Sequence, residues 1–388
     1  MSRINKRFPS IPHMKAKARW RIPGFAWDYM TGGIGLEDNV RRNADDLQKI
    51  QFMPRYLSEA QQPDVATAIF GQTLAAPFGV APVGLAGLQW PGCEPPIASA
   101  ARQHNILHVL STHATQSLET MKTHSGPVGW FQLYPPRDAA METDMIDRAR
   151  RAGYDVLVVT VDIPGVTRRD KDIRNGLSVP PNFDAHTVLH AAMRPHWLLR
   201  LARHGIPHFE NLTPYAPKGA TTKELYDFLG SVLSNHITAE RFRQIRDQWP
   251  GKLVVKGVLD PEEAATYMAL GADGIIVSNH GGRQLDAAPS SVSMLPHVRK
   301  RLGPDALVMV DGGVRSGLDI ARMIALGADY VFLGRPFIFS VAAIGDDGPV
   351  HLIDVLKQEL RGTMWQLGCP RLGDLHGFLH QPEKARHA

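Results

Sequence analysis

The stretch IIVSNHGGRQLD, residues 275–286, sets a histidine and an arginine three positions apart on a glycine-rich turn after a short apolar run. The imidazole of His280 can exchange a proton near neutral pH. The guanidinium of Arg283 offers a planar fork that matches a carboxylate. Gly281 and Gly282 let the backbone approach a bound molecule. Such a loop could remove a proton from a substrate while holding its acid group. The plain alternative is a turn with an unrelated His and Arg, and the test between the two is whether other polar groups gather at the same place.

The elements that must position them start at residue 77. Eight short apolar runs alternate with helix-like stretches: 77–84, 106–111, 128–134, 155–162, 252–258, 273–279, 306–313 and 329–336. Continuous apolar runs indicate strands buried on both faces, as in parallel sheets. Stretches such as 141–152, 261–270 and 317–326 carry apolar residues three and four apart. Two of them end in the same phrase, Leu-Gly-Ala-Asp, at 270–273 and 326–329, where the glycine stops a helix before the next strand. Eight β/α alternations predict an α/β protein with a (β/α)8 TIM barrel. A doubly wound sheet is the alternative and fits eight units in one series less well. The expected organisation is a helical cap over 1–76, the barrel over 77–375 and a tail over 376–388. The connection 163–237 is far too long for an ordinary loop, so it reads as an excursion after the fourth strand.

In such a barrel the catalytic groups sit at the C-terminal strand ends. Those ends carry Gly84, Ser111, Gln132 with Tyr134, Thr160 with Asp162, Lys256, Ser278 with His280, Asp311 with Gly313, and Gly334 with Arg335. Asp, Lys, His and Arg are each costly to bury unpaired, so their gathering at one mouth favours a site. The glycine turns at 311–315 and 333–335 each bring an arginine, Arg315 and Arg335. Late strands of the barrel are its usual phosphate position, with backbone amides and a helix N-terminus as the cradle. The run Gly32-Gly33-Ile34-Gly35 has no strand before it and reads as a turn. No His, Cys and carboxylate spacing suits a metal, and a redox cofactor with a phosphate tail fits better.

Composition narrows the setting. The chain has 388 residues, 44% hydrophobic and 21% charged, with a net charge of +5, enough for a large core. The charge suits an acidic small molecule or an anionic membrane surface and does not point to nucleic acid. Cys93 and Cys369 form no disulfide framework, so a reducing, cytoplasmic setting is the simplest expectation. No apolar run reaches membrane-span length. The first acid is Asp28, after seven Lys and Arg residues. A transit peptide could look like this, but Pro9, Pro12 and Pro23 and the scarcity of serine favour a basic helix on the domain. Residues 185–209 contain no acid and hold Arg194, Arg200, Arg203 and Trp197. They read as a helix packed over the barrel mouth or as a basic amphipathic surface for the inner face of a membrane.

These motifs, in order from about residue 23 to 375, resemble the FMN-dependent α-hydroxy acid dehydrogenases and oxidases, the family of glycolate oxidase, L-lactate dehydrogenase and mandelate dehydrogenase. The residues that carry the likeness are Trp27-Asp28-Tyr29, FQLY at 131–134, TVD at 160–162, RRD at 168–170, VKGV at 255–258, SNHGGRQLD at 278–286, DGGVRSG at 311–317 and LGRP at 333–336. The resemblance implies an FMN cofactor and oxidation of an L-2-hydroxy acid to the 2-oxo acid. It implies that His280 is the base, with Asp162 pairing to its imidazole. Arg283 and Arg169 would hold the carboxylate with Tyr29, and Tyr134 would contact the substrate hydroxyl. Lys256 would lie near N1 and the C2 carbonyl of the flavin. Gly84, Ser111, Gln132, Thr160 and Ser278 would bind the ring, and Asp311, Gly313, Arg315, Gly334 and Arg335 the ribityl phosphate. A quinone or protein acceptor, or O2, would reoxidise the flavin, and the family implies a homotetramer.

Some positions depart from the pattern. The turn after Tyr29 is longer than in many members. Gly84 stands where glycolate oxidase has alanine, and His113 where it has a bulky tryptophan. Gly165 and Val166 are small. The expected pocket is larger than glycolate needs, with His113 able to hydrogen-bond a polar tail. Asp170 and Asp172 are expected in solvated pairs with Arg168 and Lys171. Two further classes stay open. An IMP dehydrogenase-like phosphate-binding barrel needs a nucleophilic cysteine, and a non-catalytic membrane-associated barrel needs no intact polar set.

Overall fold

The computed structural model describes residues 3–57, 62–165, 167–177, 184–217, 224, 228, 232 and 236–380. A hairpin, β1 (Thr67–Ile69) and β2 (Gln72–Leu74), precedes eight barrel strands. These are β3 (Phe78–Val80), β4 (His108–Ser111), β5 (Gly129–Leu133), β6 (Val156–Thr160), β7 (Lys252–Val258), β8 (Gly274–Val277), β9 (Val308–Asp311) and β10 (Tyr330–Leu333). All neighbours are parallel, and β10 closes on β3, so the sheet has no free edge. The barrel expectation holds and the doubly wound alternative does not. One boundary differs: the first strand ends at Val80, so Gly84 lies in the following loop. Pro82 intervenes, and it has no N–H to continue a ladder.

Alternate residues of each strand face two different cores. Inward, Val109, Trp130, Val158, Val254, Ile276, Met309 and Phe332 fill the barrel, and Ile69, Leu74 and Phe70 of the hairpin plug its floor. Outward, Val80, Leu110, Phe131, Val159, Val255 and Val310 pack under the helices. Tyr330 ties the closure: its hydroxyl donates to Phe78 O at 2.6 Å and accepts from Leu107 N at 2.9 Å. Helices between strands begin at side chains that accept first-turn N–H groups, among them Ser117, Asp138, Asp260, Ser290 and Ser316. The repeated Leu-Gly-Ala-Asp phrase has a local cause. Asp273 accepts from Leu253 N and pairs with Arg246, while Asp329 accepts from Val308 N and pairs with Arg299. Each aspartate thus joins a helix end to the start of the preceding strand.

Among the described residues four helices precede the barrel: α1 (Arg3–Arg7), α2 (Ile11–Arg21), α3 (Gly24–Thr31) and α4 (Asp38–Gln48). The basic N-terminal segment is helical, as favoured. Ile11, Met14 and Ala18 of α2 are buried against the helix Arg335–Ile344, and Arg21 donates to Ala342 O and Ala343 O. The excursion holds the helices Asp170–Arg174, Ala185–Ala192 and Pro195–His204. The last two pack at the strand-end face of the barrel, beside the cap helices. They dock on α2, α3 and the turn after β3, because Trp197 donates to Leu88 O and Arg200 to Pro91 O and Gly92 O.

Candidate active site

His280 lies three residues past the end of β8, with a left-handed φ of 57°. For a non-glycine residue that conformation costs energy and needs support. Ser278 Oγ accepts the His280 N–H at 3.1 Å. Behind it, Asn279 donates to Asn43 Oδ1 at 2.9 Å and accepts from Asn43 Nδ2 at 3.0 Å, and it also donates to Asn39 Oδ1. All three amides are buried, so α4 clamps the loop from below. Asp286 returns the contact by accepting Asn39 N at 2.8 Å at the start of α4. The next turn must be glycine: a Cβ at Gly282, φ 80°, would lie 2.7 Å from Val40 N.

The imidazole is held at both nitrogens. Nδ1 is 2.9 Å from Asp162 Oδ1, and Nε2 is 3.3 Å from Tyr134 Oη. Burial alone would push Asp162 up, but the adjacent imidazole and the Lys256 charge hold its carboxyl below the usual range. An ionised carboxylate only accepts, so the ring proton sits on Nδ1 and Nε2 turns its lone pair to the phenol. Burial raises Tyr134 far above the ordinary phenol range, so it keeps its proton. Space for Asp162 comes from β7. Gly257 has φ 103° at a register irregularity between Lys256 and Val258, and a Cβ there would lie 2.5 Å from Asp162 Cγ. Lys256 itself pairs with Asp311 Oδ2 at 3.0 Å and donates to Ser278 Oγ at 2.9 Å. It therefore makes no direct ion pair with Asp162, and Asp311 faces the lysine and Ser278.

Arginines crowd the other side. Arg283 and Arg169 flank the Tyr29 ring, their guanidinium carbons 5.0 and 5.5 Å from its centroid. Arg283 donates to Tyr29 O and Gly32 O. Arg335 donates to Met30 O, Gly281 O and Gly32 O, whereas among the described residues the Arg315 side chain donates to Val314 O alone. Burial lowers Arg283 and Arg315 to about 10. It takes Arg335 to about 9, with repulsion from Arg283 and Arg315 added. Buried cations so placed favour an anionic ligand. Two sequence expectations need correction. The Gly32–Gly35 turn is more than a turn, because Gly32 O accepts from two of these arginines. Asp172 is largely buried and pairs with Arg169 at 3.3 Å, while Lys171 reaches Glu37 at 2.7 Å. Arg168 and Asp170 are paired and exposed, as expected.

His280, Tyr134, Lys256, Asp311, Tyr29 and Arg169, Arg283, Arg315 and Arg335 line one cavity of about 260 Å³, with Gly84, His113, Gly165, Phe209, Gly312 and Gly334, while Asp162 and Ser278 stand behind its lining. At the neighbouring ends of β4–β6, behind the residues that line the cavity, Ser111 Oγ donates to Gln132 Oε1 at 3.1 Å, while Gln132 Nε2 and Thr160 Oγ1 are buried without partners among the described residues. Gly313 lies beside α4, its Cβ position 2.5 Å from Asn43 O. Val166 lies outside the described residues. Neither cysteine lines the cavity. Burial pushes both thiols up, Cys369 to about 11, so neither serves the cysteine-dependent alternative.

Sequence reasoning missed Asn39, Asn43, Phe209 and Glu94, none of which belongs to a strand end. Glu94 is buried and accepts Thr115 N and Thr115 Oγ1, each at 2.9 Å, which fixes the loop after β4. Burial raises its carboxyl from 4.5 to about 7, against the pull of the Thr115 bonds. The folded state therefore binds a proton that the unfolded chain has released. Stability should fall as pH rises from about 4.5 to about 7 and level off above, by on the order of 3 kcal/mol. Glu94→Gln should flatten that part of a Tm-against-pH curve. An unchanged slope would contradict the assignment.

Comparison with known proteins adds a family. Residues 18–381 match the model described as FMN-dependent dehydrogenase. An L-lactate dehydrogenase of Acinetobacter baumannii is 37% identical over 363 residues, 93% of this chain and 94% of that protein. One of Caulobacter vibrioides is 40% identical, over 92% and 93%. The crystal structure of a monotopic membrane protein, (S)-mandelate dehydrogenase, superposes with a TM-score of 0.90 at 32% identity, covering 96% of this chain and 98% of that one.

Proposed function

The chain belongs to the FMN-dependent dehydrogenase family, and from that premise we propose that it oxidises an L-2-hydroxy acid larger than glycolate, lactate- or mandelate-like, with His280 as base. FMN-dependent oxidation of a hydroxy acid is its reaction class. The observation that carries the finer reading is the Asp162–His280–Tyr134 chain beside the arginines at Tyr29.

The cavity fits FMN. Two buried polar atoms at the adjoining strand ends, Gln132 Nε2 and Thr160 Oγ1, lack partners among the described residues, and ring carbonyls and nitrogens that reached them would satisfy them. Gly84, Ser111, Ser278 and Lys256 would complete the ring site. Arg315, with most of its N–H groups open, would take the phosphate with Gly313 and Gly334. Arg335 and Asp311, engaged with backbone and with Lys256, would act from behind. When bound, FMN supplies the two-electron acceptor. The protein's part is to bind, orient and move a proton. Arg169 and Arg283 hold the carboxylate, with Tyr29 between them. Tyr134 bonds the substrate hydroxyl. Nε2 of His280 takes the proton, and Asp162 stabilises the resulting imidazolium. Mixing the yellow protein anaerobically with L-lactate, L-mandelate and longer 2-hydroxy acids should bleach it. A panel that leaves it yellow would overturn the reading. Adding O2 or a quinone analogue to the bleached protein then identifies the acceptor class, and sedimentation velocity tests the homotetramer.

We further propose peripheral membrane contact through the excursion. Among the described residues no helix is long and apolar enough to cross a membrane. Yet Val188, Leu189, Met193, Leu199 and Ile206 are more than half exposed, beside Arg194 and Arg203. Trp197 and Arg200 anchor the opposite side, so the fold does not require those apolar groups outward. Wild type should co-sediment with anionic vesicles, and a Leu189→Glu/Leu199→Glu variant of equal flavin content should stay in the supernatant. Equal binding would remove the excursion from the contact.

A further inference from the structure

His113 follows β4 on the cavity wall, and its ring is fixed on three sides. One face lies on Tyr134, with centroids 4.5 Å apart and planes within 20°. Phe209, from the excursion, meets it edge-on at 5.4 Å. Gly84 stands opposite, where an added Cβ would be 3.2 Å from His113 Cβ. The residue is 8% exposed, and yet its Nε2 has no hydrogen-bond partner among the described residues. A buried ring nitrogen without a partner, on a residue that lines a ligand cavity, is a costly arrangement unless a ligand completes it.

The chemistry of that missing partner is narrow. Burial, with the nearby His280, pushes the His113 pKa down to about 3, so the ring is neutral at working pH. A neutral imidazole nitrogen either donates or accepts, according to tautomer. A hydroxyl can do both and fits either form. A second carboxylate could accept from the ring's N–H, but burying its charge against this wall costs far more than burying a neutral hydroxyl, and a methyl or a bare aromatic C–H would leave the nitrogen unpaired. The neighbours Tyr134 and Phe209 make the surrounding wall aromatic, which suits a ring-bearing tail.

We infer that His113 determines specificity by hydrogen-bonding a neutral hydroxyl on the substrate's side chain, so that the enzyme favours L-2-hydroxy acids with a hydroxylated tail over the same acids without it. The inference rests on the 2-hydroxy acid reading of the cavity. It assigns the tail, which that reading leaves open.

Matched pairs test it: (S)-mandelate against its 4-hydroxy analogue, L-3-phenyllactate against its 4-hydroxyphenyl analogue, and L-lactate against L-glycerate. The readout is the second-order rate of anaerobic flavin bleaching for each acid. In wild type the hydroxylated member of at least one pair should be favoured by about tenfold or more. His113→Phe keeps an aromatic ring for the stack and removes the nitrogens, and the ratio within that pair should fall to about one. His113→Gln restores a hydrogen-bonding group and should recover part of the ratio. Each ratio is internal to one variant, so a general loss of rate cancels, and flavin content with Tm reports folding. Wild type that oxidises the pairs without preference, or a preference that survives in His113→Phe, overturns the inference while leaving the activity standing. If none of the acids is oxidised, the activity reading itself fails.

Discussion

A His280→Ala variant should stay yellow and bleach with a 2-hydroxy acid about 10³-fold more slowly than wild type, within the span of about 10²–10⁴ that a positioned base contributes. The imidazole sits between the buried carboxylate of Asp162 and the phenol of Tyr134, and no other described base stands on both. Substrate affinity should change little, because on the proposed reading Arg169 and Arg283 would hold the carboxylate independently; the loss belongs in the bleaching rate at saturation. Asp162 supplies a second readout. Burial opposes its charge, and His280 is the largest influence keeping it ionised. A carboxyl depressed in the folded state contributes stability above its ordinary range, and that stability is lost as pH falls through the depressed value. Wild type should therefore keep this contribution into more acid conditions than the variant, where the carboxyl loses its main partner. Full turnover in His280→Ala would remove the histidine from the chemistry.

The second large effect concerns cofactor retention and separates two arginines that look alike in sequence. Arg315→Met should weaken FMN binding by about 10²-fold, the scale of a lost charge-assisted contact to phosphate, and leave the unfolding temperature of the flavin-free protein nearly unchanged. Its side chain contacts one neighbouring carbonyl and has little structural work. Arg335→Met should lower both, because that guanidinium joins Met30, Gly32 and Gly281 across the mouth. Fluorescence titration of the stripped proteins with FMN measures the first quantity and calorimetry the second. Equal behaviour of the two variants would refute the division of labour.

The barrel and most of its mouth were legible because parallel strands buried on both faces must be apolar throughout, which makes Lys256, Asp162 and His280 conspicuous where those runs end. The regular alternation of strand-length and helix-length stretches needed no contact information. What escaped depends on pairing between distant segments. Asn39 and Asn43 look like ordinary polar residues of an exposed helix until Asn279 is placed against them. Asp172 reads as a surface acid until burial and Arg169 are known. The first strand was drawn too long because Pro82 and Val83 continue its apolar run after the ladder has ended. Phe209 lies in a connection with no periodic signal, and only the docking of the excursion brings it to the cavity.

The clamp on the His280 loop has a temporal consequence during synthesis. Its partners in α4 are made 236 residues before Asn279, and Met30 is made 305 residues before Arg335. At ribosomal speeds of roughly 5–20 residues per second, those separations are about 12–60 s. Through that interval the first helices carry apolar faces with nothing yet to cover them, and closing so long a loop is entropically slow. The pocket is thus completed only when the last strand emerges, and the earliest segment of the nascent chain is the one that most needs shelter from aggregation.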